Sequence, residues 1–253
     1  SPDFRPAWRN VLERPPNPAS DPKRAPDMDD GATLTGPHRH HIFEPANTHT
    51  TFVGRERELR DLLELLESHR VVSVQGVAGV GKSRLSGEAL RRLAAGSDSA
   101  SGWFVDARAC QTPLECAEAI ARATDFKQAS ASDLSSRLTQ LRRYLDGFPD
   151  PYVVLDGVGA MSEELGELVD SLASVASIIS TSREPVPQTQ GVLRLSSMDV
   201  DEACELLVSR TRRFQPSFTP DDSTREDLAA IARRLDGIPL ARSEEHTSEL
   251  QSP

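Results

Sequence analysis

Residues 76–83 read Gly-Val-Ala-Gly-Val-Gly-Lys-Ser, a complete G-x-x-x-x-G-K-[ST] pattern. It is set directly after the apolar run Val71, Val72, Ser73, Val74 and directly before a helix-patterned stretch. A strand, a glycine loop and a helix in that order require an α/β layer in which the loop joins a buried strand to a covering helix. The glycines let successive backbone N–H groups turn inward around a phosphate, and the helix adds its positive N-terminal end. The expected ligand is a nucleoside triphosphate with Mg²⁺. Its contacts would come from Gly76, Val77, Ala78, Gly79, Val80, Gly81, Lys82, Ser83 and Arg84, with Lys82 reaching the β/γ-phosphates and Ser83 the metal.

Around this loop, strand and helix patterns alternate. Leu59, Leu62, Leu63 and Leu66 recur at helical spacing in the stretch leading into the first strand, and Leu85, Ala89 and Leu93 do so after the loop. A short apolar strand is expected at Gly102-Trp-Phe-Val-Asp106. Helices are expected near 113–124 and 133–146, the second carrying Leu134, Leu138, Leu141 and Leu145. After Pro149 and Pro151, strands are expected at Tyr152-Val-Val-Leu-Asp156, at Ala176-Ser-Ile-Ile-Ser-Thr181 and near 192–195. Near-continuous apolar strands separated by helices imply a parallel sheet flanked by helices on both faces. From Asp199 onward the pattern is helical only, with Asp199 and Glu202 at capping-box spacing and Leu228, Ile231 and Leu235 on one face, which marks the start of a small helical subdomain.

The expected organisation is therefore a Pro-rich linker over 1–50, an α/β nucleotide-binding domain over 51–196 and a partial helical subdomain over 197–241. Nine of the 18 prolines lie in residues 1–50, a composition too poor in apolar side chains to offset the entropy of ordering. His38, His40 and His41 cluster there without a Cys or acidic partner at ligand spacing, so a solvated linker fits better than a metal site. Residues 242–252 read as an in-frame translation of a common sequencing-library adapter. We expect natural sequence to stop at about Ala241 and give 242–253 no weight. The chain opens on Ser1, and a natural N-terminus is expected further upstream.

A formal net charge of −10 speaks against direct nucleic-acid contact by this segment. Apolar runs of four to six residues are far short of the roughly 20 that span a bilayer. Cys110, Cys116 and Cys204 are odd in number and form no C-x-x-C pair, as expected of thiols in a reducing cytoplasm.

Asp156 ends an apolar strand downstream of the loop and suits a carboxylate that holds Mg²⁺ beside the triphosphate, although strand-end aspartates also cap turns. Thr181-Ser-Arg183 follows the next strand at the edge where ligands of open α/β sheets bind. Arg183 there would sense a γ-phosphate or, more plainly, form a surface ion pair. Two further elements, Phe52-Val-Gly-Arg-Glu56 and Leu235-Asp-Gly-Ile-Pro-Leu-Ala241, flank the rest. In order and spacing over residues 50–241, the set resembles the STAND class of P-loop signalling ATPases, which includes the NB-ARC proteins. Trp103-Phe-Val-Asp106 and Ser182-Arg-Glu-Pro185 look most like the bacterial AfsR/LuxR-type branch.

That resemblance implies an ATP/ADP-binding switch module of a larger, transcriptional regulator, with a signalling partner and self-association in the ATP state. It implies that Val53, Gly54 and Arg55 border the adenine and ribose and that Pro239 packs on the base. Gly54 as a turn and Pro239 as a helix stop are the simpler alternatives. Lys82, Asp156 and Arg183 would support attack of water on the γ-phosphate, with Ser83 and Asp156 on Mg²⁺. The chain departs from the family where Gly157 follows Asp156, since an acidic or amide residue is usual there. Glu163 and Glu164 come later and are expected to face solvent. Hydrolysis is thus expected to be slow or partner-dependent. A non-hydrolysing ADP scaffold is the first rival and a small-molecule P-loop kinase the second.

Overall fold

A computed structural model of the chain describes residues 42–43, 51–97, 99–126, 133–159, 164–184 and 186–235. Six strands, β1 (Ile42–Phe43), β2 (Val71–Gln75), β3 (Ala100–Asp106), β4 (Asp150–Asp156), β5 (Ser177–Ser182) and β6 (Gly191–Arg194), form one sheet in the order β1-β3-β4-β5-β2-β6. Every pairing is parallel. The strands β2 to β6 match the apolar runs of the sequence. The two-residue β1 lies within the Pro-rich stretch, where no strand was expected, and pairs with β3 at the edge of the sheet.

Strand alternation sorts the core into two layers. Val71, Trp103, Val153 and Ile178 face one way and pack against α3 (Pro113–Ala123), α4 (Leu134–Leu145) and α5 (Gly166–Ala173). Val72, Phe104, Val154 and Ile179 face the other way. There they meet Leu59, Leu62, Leu63 and Leu66 of α1 (Glu56–Ser68) and Leu85, Ala89, Leu90 and Leu93 of α2 (Lys82–Gly96). Both faces are thus removed from water, as buried parallel strands require. Side-chain caps define two of the helix starts in the first layer: Thr112 accepts from the Glu115 N–H, and Asp133 from the Ser136 N–H. Trp103 meets the Phe148 ring edge-on at 4.9 Å, which anchors the end of α4 to the sheet.

The two remaining helices, α6 (Val200–Phe214) and α7 (Asp222–Arg234), pack on each other around Met198, Ala203 and Ala232. Asp199 caps α6 by accepting the Glu202 N–H at 2.8 Å. The Glu202 carboxylate does not stay local: its Oε1 accepts the Arg55 N–H at 2.7 Å, across 147 residues of sequence. No described helix is long and apolar enough to cross a membrane.

Candidate functional site

The C-terminal ends of the central strands carry a row of polar residues, among them Asp106, Asp156 and Thr181. In register across the sheet, Val74 of β2 lies beside Thr181 of β5, Thr181 beside Asp156 of β4, and Asp156 beside Asp106 of β3. Strand β5 thus separates the strand feeding the glycine loop from the strand ending in Asp156, and Arg183 emerges between them.

Gly79 and Gly81 adopt φ of 76° and 105°, backbone angles that side-chain-bearing residues rarely take. They turn the chain so that α2 begins at Lys82. Lys82 Nζ donates to the carbonyls of Gly76 and Val77, at 2.8 Å each. Partial burial pulls its ammonium pKa below the ordinary lysine value. Repulsion from Arg183 acts in the same direction and attraction to Asp156 opposes it, so Lys82 lies within the electrostatic reach of both. Ser83 is exposed at the first turn of α2, and Arg183 is exposed just beyond β5. Arg84 lies with its guanidinium 5.9 Å from the centre of the Phe52 ring.

Asp156 is 4% exposed, and its Oδ1 accepts the Thr181 hydroxyl at 2.6 Å. Thr181 Oγ1 in turn accepts the Gly157 N–H at 2.8 Å, and the Thr181 carbonyl takes the N–H groups of Gly157 and Val158. The carboxylate is therefore positioned by a neighbouring strand. A buried carboxylate held through one oxygen, together with an exposed hydroxyl at a helix N-terminus, is a donor set that fits Mg²⁺, which favours one or two protein oxygens plus phosphate and water. Ser83 and Asp156 would hold that ion, which would neutralise charge on the terminal phosphates.

Arg55 is a buried charge immediately before α1. It sits at φ 59° and is 3% exposed. Its guanidinium donates to the Val80 carbonyl of the glycine loop at 3.1 Å, to the Ser196 carbonyl at 2.7 Å and to Glu58 at 2.9 Å. Val53 and Gly54 precede it in half-buried positions. Gly54 has φ of 70°, and a Cβ there would meet Met198 Cε at 2.7 Å and Glu202 Cδ at 3.1 Å, so a side chain at this turn is strained and crowds Glu202 of α6. Sequence reasoning assigned Glu202 a helix-capping role only, and assigned Thr181 and Arg108 no role of their own in the site. Thr181 alone had a local signal, a hydroxyl closing an apolar strand. Pro239, Glu163, the histidine cluster and the 242–253 tail lie outside the described residues; Glu164 is exposed just before α5.

Beyond β3, Arg108 grips Asp106 through Nε at 2.8 Å and a second guanidinium nitrogen at 2.5 Å. These bonds hold the Asp106 carboxyl below its ordinary pKa against the smaller opposing effect of partial burial.

The sequence profile of the AAA ATPase domain matches residues 51–217, from the turn before Arg55 through the end of α6. The chain belongs to the AAA ATPase domain family. A Mycobacterium bovis protein that carries the provisional name HTH-type transcriptional regulator is 35% identical over 185 residues, covering 70% of this chain and 20% of that protein. An uncharacterized protein of Mycobacterium tuberculosis is 30% identical over 206 residues, covering 76% of this chain and 49% of its own length. This AAA domain thus spans half or less of these relatives. Among solved structures, the Aeropyrum pernix ORC1 protein in complex with DNA superposes with a TM-score of 0.57 at 22% identity, over 77% of this chain and 59% of that one. The Walker-type ATPase of Pyrococcus abyssi gives 0.51 at 20% identity, over 74% and 65%. At these identities the likeness concerns the fold.

Proposed function

We propose that this AAA domain is an ATP/ADP-binding switch module of the STAND type, working within a larger bacterial transcriptional regulator. One observation carries the reading. Arg55 touches the glycine loop at Val80, the segment after β6 at Ser196 and, through its backbone N–H, Glu202 of α6. A phosphate bound in the loop therefore acts on a residue whose side chain meets the loop and whose backbone N–H holds the helical arm, and a change at the γ-phosphate biases the position of α6. Arg183 is the γ-phosphate sensor in this reading, and Pro239 contributes from the arm to the base. The relatives named as regulators support a role in transcription, with the output borne by parts of the longer protein.

Hydrogen exchange of the full chain with ADP·Mg²⁺ and with a non-hydrolysable ATP analogue tests this. Amides of α6 should differ in protection between the two nucleotides. Equal protection in both states, with nucleotide bound, would leave the non-hydrolysing ADP scaffold as the better reading, the one that Gly157 favours.

A further inference from the structure

The residue after Asp156 is a glycine, yet the same sheet edge carries a second carboxylate one strand away. Phe104 of β3 packs with Leu85 and Leu90 on the α2 face of the sheet. Alternation puts Asp106, two residues further on, on that same face. Its register neighbours Asp156 and Thr181 continue the row, with strands about 4.8 Å apart. The Ala107 N–H donates to the Asp156 carbonyl at 2.8 Å, which fixes the end of β3 against β4. Gly157 has φ of 79°, and a Cβ there would meet Arg108 Cγ at 2.3 Å. A side chain at 157 and Arg108 in its observed place exclude each other. Arg108 in turn grips Asp106.

We propose that Asp106 supplies the carboxylate that orients the attacking water, with Arg108 as the residue that positions it. The inference rests on the ATPase reading above. The water oxygen bonds to the γ-phosphorus while the bond from that phosphorus to the β–γ bridging oxygen breaks, and the bridging oxygen leaves with its electron pair on ADP. Asp106 accepts a hydrogen bond from the water and orients it, and the water proton leaves on the released phosphate and then passes to solvent. Oδ1 of Asp106 accepts both the Arg108 backbone N–H and its Nε, whereas Oδ2 accepts a single guanidinium nitrogen and keeps a lone pair for the water.

The test uses the full chain, a fluorescent ATP analogue to read binding and phosphate release to read turnover. Asp106→Asn should bind nucleotide within twofold of the parent and release phosphate about 100-fold more slowly, or at the rate of Lys82→Ala if that is reached first. Arg108→Ala should lower kcat and leave KM unchanged. Adding Arg108→Ala and Gly157→Asp to Asp106→Asn should restore part of the turnover, because aspartate tolerates the positive φ of 79° and the carboxylate returns where Arg108 no longer blocks it. Parental turnover in Asp106→Asn overturns the inference, as does loss of binding together with turnover, or a parent that binds ATP and never hydrolyses it. A parent that binds no ATP defeats the underlying reading instead, so the two failures are distinct.

Discussion

The Thr181 hydroxyl donates to the Asp156 carboxylate at 2.6 Å, and with Thr181 only 1% exposed the bond lies out of water. The carboxylate proposed to hold Mg²⁺ is thus set by β5, the strand that also delivers Arg183. Thr181→Val removes the donor and the acceptor for the Gly157 N–H without changing shape. Its expected cost is about 1–3 kcal/mol of stability, together with a weaker Mg²⁺ dependence of nucleotide binding. Thr181→Ser should retain both. Denaturant unfolding and a Mg²⁺ titration check this, and a valine variant as stable as the parent would contradict it.

Gly54→Ala places a methyl against Met198 and Glu202 at a backbone angle that L-residues disfavour. The strain alone is worth about 1–2 kcal/mol. Limited proteolysis should then cut the segment between β6 and α6 faster than in the parent, while α2 stays protected. Unchanged cleavage would show that the approach of α6 is not tight.

Arg55→Met keeps the aliphatic stem and leaves the Val80 and Ser196 carbonyls without their guanidinium partner. We expect a loss of about 3 kcal/mol, since hydrogen bonds to charged groups are each worth about 1.5–3, and at least a tenfold weaker ADP affinity. Arg55→Lys should rescue only partly, because one ammonium cannot reproduce the planar fork. Calorimetry of ADP binding to both variants reads the difference. Full rescue by lysine would reduce the site to a point charge.

Cys116 is fully buried, and desolvation, reinforced by Cys110, pushes its thiol up to about 12 from an ordinary 9.0. The folded chain holds that proton between the two values and the unfolded chain does not. The corresponding stability is complete below pH 9 and is lost as pH rises toward 12. Iodoacetamide at about pH 8 should therefore leave Cys116 unmodified in the folded chain, and Cys116→Ala should flatten the alkaline fall in stability. Rapid native alkylation of Cys116 would show that the core opens there.

Much of this was legible beforehand. The glycine loop, the five longer strands and the paired layers follow from apolar runs that only a two-faced parallel sheet can bury. What was not legible depends on partners far away in sequence. Arg55 reads as an ordinary charged residue, and its burial is intelligible only once the Val80 and Ser196 carbonyls are seen converging on it. Glu202 sits at capping-box spacing, so its local pattern conceals its bond to Arg55. Asp106 closes an apolar run as many aspartates do, and only the β3–β4 register sets it beside Asp156. The edge strand β1 is two residues long, too short for alternation to show.

The most direct measurement is calorimetric titration of ADP·Mg²⁺ into the full chain and into Lys82→Ala. Saturable one-to-one binding by the parent, weakened at least about 100-fold in the variant and reduced by chelating Mg²⁺, is the expected result. Equal binding by the two chains would contradict the account, because the loop over residues 76–83 would then not be where nucleotide is held.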